Sequence, residues 1–132
     1  MEYVGELACE VEHGPSGTRM STDAPADNQG LARSFSPTDL LGVSLGTCVM
    51  TIMGIVCKQR DWDLGNPTAK VDKTMVADPH RRISKLEVII SGLPASFDER
   101  QHETLETAGS GCPVEHTIHP DTKVVIEFRW DG

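Results

Sequence analysis

Two of the four cysteines lie at positions where a thiol has a chemical use. Cys48 sits inside an apolar stretch, where it is either a small core residue or a thiol that needs a cation from elsewhere in the chain. Cys112 follows Gly-Ser-Gly and precedes Pro113, which predicts a short helix starting there. The positive end of a helix dipole favours a thiolate, so local physics predicts that Cys112 is the more acidic thiol.

A metal site is an alternative use of Cys112. With His116 and His119 it forms the pattern C-x3-H-x2-H, which would place three soft zinc ligands along one helical stripe. Surface histidines are the commoner explanation of such a pattern, so we expect no metal and no other cofactor. Cys9 and Cys57 have no evident partner and are expected to fill the core.

The element that must position Cys48 is a long helix. No residue from Leu40 to Cys57 is charged, Ser36 is a good N-cap, and Asp39 stands three residues later, as in a capping box. We therefore predict a helix over residues 36–60. Its many Gly, Ser and Thr residues lower the mean hydropathy and favour a buried helix over a membrane span.

Three glycines inside this helix need a structural reason, because each costs about 1 kcal/mol relative to alanine. Gly42 and Gly46 are four residues apart on one face, and Gly54 follows eight residues later. Small residues on a stripe allow another backbone to approach closely. The expected partner is a second helix, such as the same helix of another subunit.

The remaining elements complete an α+β protein in a single domain covering residues 1–132. Alternating apolar residues predict strands, and a polar segment bounded by Ser96 and Thr107 predicts a second helix. The predicted strands are 6–12, 18–23, 68–75, 82–91 and 123–130, with a short segment at 112–119. The predicted order is β-β-α-β-β-α-α-β.

Charge and composition narrow the function classes. The formal net charge is −8, which argues against nucleic acid as a partner, because phosphate binding needs clustered Lys and Arg. The first residues are acidic and lack the basic and apolar regions of a secretory signal. We therefore expect a cytoplasmic protein with no membrane association, whose cysteines stay reduced.

Two motifs together resemble a known family. The segment SPTDLLGVSLGTC, followed by CPVEH, resembles the OsmC/Ohr family of osmotically inducible and organic-hydroperoxide-resistance proteins. The resemblance implies mixed β-sheets packed on two central helices in an intertwined homodimer. It also implies a thiol peroxidase in which Cys48 attacks an organic hydroperoxide and Cys112 resolves the product as a disulfide. A dithiol or a lipoyl-bearing protein would then reduce the pair.

The sequence departs from this family at the groups that activate the first thiol. The best-characterised members use an arginine from the N-terminal hairpin and a glutamate after the helix-starting proline. Here Thr38 holds the glutamate position, and the HGPSG turn has no arginine. Arg19, Arg33 and Asp39 are nearby candidates for activating or polar groups. The alternative is therefore a non-peroxidatic, redox-sensing or small-molecule-binding protein on the same fold.

Overall fold

The computed structural model describes residues 1–132, and its longest element is the helix α1, Pro37–Arg60. Ser36 Oγ accepts a hydrogen bond from the Asp39 backbone N–H at 3.0 Å. Asp39 Oδ2 in turn accepts from the Ser36 backbone N–H at 2.9 Å. These reciprocal bonds satisfy two donors that a helix start would otherwise leave unpaired. The predicted capping box and helix bounds are confirmed.

Six strands and three helices make up the fold, together with a short 3-10 turn at Ala26–Asn28. Besides α1, the elements are β1 Glu2–Gly5, β2 Ala8–Glu12, β3 Arg19–Asp23, β4 Thr68–Val76, β5 Arg82–Ser91, α2 Glu99–Ser110, α3 Pro113–Thr117 and β6 Lys123–Phe128. The strands form two three-stranded sheets, β1-β2-β3 and β4-β5-β6. The predicted mixed α+β class is confirmed.

The chain forms two compact units, Met1–Leu41 and Gly42–Gly132. In the first unit, β1, β2 and β3 pair in an antiparallel meander. β1 was not predicted from the sequence, and β2 begins at Ala8 rather than at residue 6. Glu6 and Leu7 have positive φ angles of 51° and 63° and form the turn between the two strands. Leu7 therefore lies outside the strand to which its alternating pattern assigned it.

The second unit packs β4, β5 and β6 against α1. Strands β4 and β5 are antiparallel, whereas β6 joins β5 in parallel after a crossover that contains α2 and α3. Leu86, Val88 and Ile90 of β5 are buried, as their alternation predicts. They share one core with the buried face of α1, which includes Leu45 and Val49.

The bounds of α2 differ from the prediction. Asp98, not Ser96, is its N-cap, and it makes a capping box with Gln101. The helix also continues through Ala108 to Ser110, and Gly111 is its C-cap. Gly109, just beyond the predicted helix end at Thr107, is buried, so tertiary packing keeps the last turn helical despite the low helix propensity of glycine.

Two of the three glycines in α1 face a strand rather than another helix. A Cβ at Gly42 would lie 3.1 Å from Val71 Cγ1, and one at Gly46 would lie 2.9 Å from Val71 Cγ2. Gly54 has no neighbour within 4 Å. The predicted helix partner is therefore wrong for Gly42 and Gly46, because β4 of the same chain occupies that face. Gly54 is turned roughly 120° away from Gly42 around the axis.

α1 is long and apolar enough to cross a membrane by length and composition alone. Within this chain, 33% of its most apolar window is buried. The core helix of a soluble protein passes the same test, so this property by itself is weak evidence.

Candidate active site

Two thiols from distant parts of the sequence meet in the second unit. Cys48 lies on α1, next to the buried Val49, and is partly exposed. Cys112 is the N-cap of α3 and is 0% exposed. Their side chains lie close enough for Cys48 to influence the pKa of Cys112. The fold therefore brings together the two cysteines that the sequence analysis singled out.

The backbone of α3 is directed at the Cys112 sulfur. Cys112 Sγ accepts a hydrogen bond from the Glu115 N–H at 3.4 Å, and the Val114 N–H also contributes. These bonds favour the thiolate, but burial is the larger effect, and the contact with Cys48 adds to it. Together they raise the pKa of Cys112 above its ordinary value. The helix dipole was expected to lower the pKa of Cys112, and the structure shows that burial of the helix start outweighs this effect.

The three side chains of the metal pattern do not form a cluster. No group of three or more His, Cys, Asp or Glu side chains lies close enough to hold a metal ion. Helix α3 ends at Thr117, so His119 lies beyond the helical stripe. His116 Nδ1 lies 3.8 Å from the Glu115 carboxylate, and His119 Nδ1 accepts from the Asp121 N–H at 3.1 Å.

The other two cysteines differ in their surroundings. Cys57 is on the buried face of α1 and is 2% exposed, as expected from the sequence. Burial, and to a smaller extent the negative charge of Asp63, raises the pKa of Cys57. Cys9 is partly exposed on β2, where it pairs with Tyr3 and Thr22 of the neighbouring strands. All four cysteines are free thiols.

In the first unit, Arg33 is held by a buried carboxylate. Arg33 Nε lies 2.7 Å from Asp23 Oδ2, and Nη2 lies 3.2 Å from Oδ1. The Arg33 backbone N–H also donates to Oδ2, at 2.9 Å. These bonds hold the pKa of Asp23 at about 2. The sequence analysis missed Asp23, which ends an ordinary strand and carries no motif.

The remaining candidate polar groups have local partners. Arg19 makes only a long, exposed contact with Glu12, at 3.9 Å. Thr38 Oγ1 lies 3.1 Å from Ser36 Oγ, and Asp39 completes the cap of α1. Of the three nearby candidates, Arg33 is the one fixed in place by a buried acid.

Arg33 also lines a cavity within the first unit. The cavity has a volume of about 650 Å³, and Asp23 and Phe35 contribute to its wall together with residues of all three strands. Its wall combines polar and apolar side chains, with Glu6 and Glu10 as additional acids.

A family comparison extends over most of this architecture. The model of the family described as OsmC-like protein matches residues 28–127, a segment that contains all of α1, both Cys48 and Cys112, and all but the last residue of the second sheet. The chain belongs to the OsmC-like protein family. No curated protein matches the sequence.

Solved structures agree with the OsmC-like assignment. A protein from Psychrobacter arcticus, named for osmotic stress induction and a detoxification response, is 38% identical, with a TM-score of 0.89. The comparison covers 96% of this chain and 91% of that one. The organic hydroperoxide resistance protein OsmC of Legionella pneumophila is 16% identical, with a TM-score of 0.62 over 98% and 99% of the chains. The organic hydroperoxide resistance protein of Bacillus subtilis is 13% identical, with a TM-score of 0.65 over 96% and 93%.

The arrangement defines what this OsmC-like chain can do chemically. Cys48 is partly exposed to solvent, and the neighbouring Cys112 is fully buried. A small oxidant can therefore reach Cys48 before Cys112. The proximity of the two thiols would allow a disulfide to form after local adjustment of the short α3 helix.

Proposed function

We propose that this chain is a cysteine-based thiol peroxidase that reduces organic hydroperoxides. The observation that carries the proposal is the proximity of Cys48 on α1 to Cys112 at the start of α3, which brings two thiols from distant parts of the sequence together. The names of the structural neighbours from Legionella pneumophila and Bacillus subtilis point to the same substrate class.

In the proposed first step, the Cys48 thiolate attacks the outer oxygen of the hydroperoxide. The O–O bond breaks, the alcohol leaves after taking up a proton, and Cys48 becomes a sulfenic acid. The partial exposure of Cys48 suits this role, because the substrate must reach the sulfur. Arg19, Arg33, Thr38 and Asp39 stay candidates for polar groups that assist the step.

In the second step, Cys112 attacks the sulfenic sulfur. An S–S bond forms, the S–O bond breaks, and the hydroxyl leaves as water with the Cys112 proton. The burial of Cys112 suits a resolving thiol, because it shields that sulfur from direct oxidation. An external dithiol or a lipoyl-bearing protein completes the cycle by reducing the disulfide, so the protein needs no metal or organic cofactor.

We also infer a homodimer in the cytoplasm. Val43 and Ile55 of α1 are 39% and 45% exposed, which leaves part of an apolar helix uncovered in the isolated chain. A second copy would cover it, as the family resemblance implies. Sedimentation should then give twice the chain mass of 14.4 kDa, and a stable monomer at micromolar concentration would contradict the inference.

The test of the peroxidase is a peptide map after limited oxidation. Fully reduced protein receives less than one equivalent of cumene hydroperoxide, and the disulfides are located by mass spectrometry. A rapid, dominant Cys48–Cys112 bond is expected. In Cys112→Ser, a dimedone adduct should appear on Cys48 instead, while Cys9→Ser should retain full turnover.

One result would reject the peroxidase. If Cys48 and Cys112 stay unmodified and the peroxide is not consumed, the chain keeps the fold without the reaction. A redox-sensing or small-molecule-binding function would then take its place.

A further inference from the structure

The last turn of α2 packs against α1 at a residue that has no side chain. Gly109 is buried, and a Cβ there would lie 3.0 Å from Val49 Cγ1. It would also lie 3.3 Å from Phe128 Cε1 and 3.4 Å from Met53 Cγ. Gly109 therefore lies where two helices and β6 meet, and any side chain at this point would require its neighbours to move.

The closest of these neighbours has little freedom to turn aside. Val49 is 0% exposed and β-branched, so it has one strongly preferred rotamer in a helix. Met53, by contrast, is unbranched and can adapt its conformation. A methyl group on Gly109 would therefore be accommodated by a backbone shift of α1 or of the end of α2, and not by a rotamer change at Val49.

This contact is close to both thiols along the chain. Val49 directly follows Cys48 on α1, and Cys112 comes three residues after Gly109. Only Gly111 separates the end of α2 from Cys112. A shift of either backbone therefore moves one thiol relative to the other. Disulfide formation tolerates only a narrow range of separations and orientations, so this spacing controls whether the two sulfurs can react.

We propose that Gly109 is a positioning residue, which sets the distance between Cys48 and Cys112 by letting the end of α2 approach α1. This inference rests on the proposed function for its purpose, because the spacing determines how fast Cys112 can resolve an oxidised Cys48. The packing itself is a property of the reduced chain and needs no peroxide. Gly109 contributes no reacting atom and acts only through the placement of the two thiols.

The experiment measures the approach of the two thiols without a hydroperoxide. Reduced full-length protein is equilibrated with mixtures of reduced and oxidised glutathione. In this exchange, two protein thiols form one S–S bond, and one oxidised glutathione is reduced to two glutathione thiols. The Cys48–Cys112 disulfide is quantified by peptide mapping after acid quenching, and its equilibrium constant reports how closely the fold holds the two thiols. Circular dichroism checks that each variant is folded.

A second glycine provides the matched control for Gly109→Ala. Gly111 is nearer to Cys112, but a Cβ there would lie 3.5 Å from its nearest neighbour, the Thr107 carbonyl oxygen, which is an ordinary contact. The equilibrium constant should fall about tenfold in Gly109→Ala, because a small displacement already misaligns the reacting sulfurs. Gly111→Ala should stay close to the wild type. Adding Val49→Ala to Gly109→Ala removes the methyl group that the new side chain meets, and should restore the wild-type value.

Three results would overturn the proposal: an unchanged equilibrium constant in Gly109→Ala, an equal fall in Gly111→Ala, or no Cys48–Cys112 disulfide in the wild type. If Gly109→Ala fails to fold, Val49→Ile presses on the same contact from the side of α1 and should lower the constant. No change in that variant would also overturn the proposal.

The same measurement separates this inference from the proposed peroxidase. A wild-type chain that forms the Cys48–Cys112 disulfide with glutathione but consumes no hydroperoxide would lose the proposed function. The positioning role of Gly109 would still stand, because the glutathione equilibrium depends only on the placement of the two thiols.

Discussion

Gly46 of α1 lies against Val71 of β4 so closely that a Cβ at Gly46 would stand 2.9 Å from Val71 Cγ2. Contacts this short do not occur between real carbon atoms, so helix and strand are as close as a glycine permits. The spacing fixes the distance between the helix that carries Cys48 and the sheet beneath it.

The first prediction compares two glycines of the same helix. Gly46→Ala should destabilise the protein by about 1–3 kcal/mol, because the added methyl group pushes α1 away from Val71. In Gly54→Ala the added methyl group meets open space. This variant should therefore raise the free energy of unfolding by up to about 1 kcal/mol, because alanine has the higher helix propensity. Urea unfolding measures both. If Gly54→Ala also destabilises the protein, a neighbour outside this chain covers that face.

The second prediction concerns acid. The pKa of Asp23 is lowered to about 2 by Arg33, so the folded state favours the ionised carboxylate. This contribution is complete above the ordinary pKa of 3.8 and is lost as the pH falls towards 2. Stability measured by urea unfolding should therefore decline over this range in the wild type. Asp23→Asn should be less stable at pH 7 and should decline less below pH 4.

The third prediction tests the aromatic cluster at the end of β6. Trp130 Nε1 donates to the Glu106 carboxylate at 2.9 Å, and its ring stacks on His102 with a centroid separation of 3.9 Å. Trp130→Phe removes the donor from a part-buried carboxylate and should cost about 1–3 kcal/mol. Trp62→Phe is the matched control, since Trp62 makes an edge contact with Phe97, and its loss should be smaller. Equal losses would contradict the role of the hydrogen bond.

The fourth prediction links oxidation to stability. A Cys48–Cys112 disulfide would close a loop of roughly 60 residues, and chain entropy then predicts about 4 kcal/mol of added stability. Calorimetry of the reduced and oxidised protein should show a higher Tm after oxidation. Cys112→Ser should show no such difference, and a lower Tm in the oxidised wild type would mean that the bond strains α3.

Local sequence rules were sufficient where neighbouring residues decide the structure. Ser36 and Asp39 define the start of α1 through bonds within one turn, and the alternation in β5 predicts its buried face. β1 was missed because three of its four residues are exposed and show no alternating pattern. Leu7 was misplaced because its positive φ follows from the turn and not from its side chain.

The chemistry of the site depended more on tertiary structure. The motifs identify Cys48 and Cys112, but the pKa of Cys112 depends on burial, which residues far along the chain provide. The role of Asp23 could not be predicted from the sequence either, because its partner Arg33 is ten positions away and the carboxylate is buried only after folding. Local dipole arguments fail where desolvation is the larger effect.

The parallel pairing of β6 with β5 has a consequence for the order of assembly. The β4–β5 hairpin needs only a short turn. By contrast, β6 can pair with β5 only after the chain has passed through α2 and α3. Contacts over longer sequence separations form more slowly, so β5 should have one open edge in the early chain. That edge belongs to a strand rich in apolar residues and is the expected starting point for aggregation during refolding. Conditions that speed the docking of β6 should therefore raise the yield of native protein.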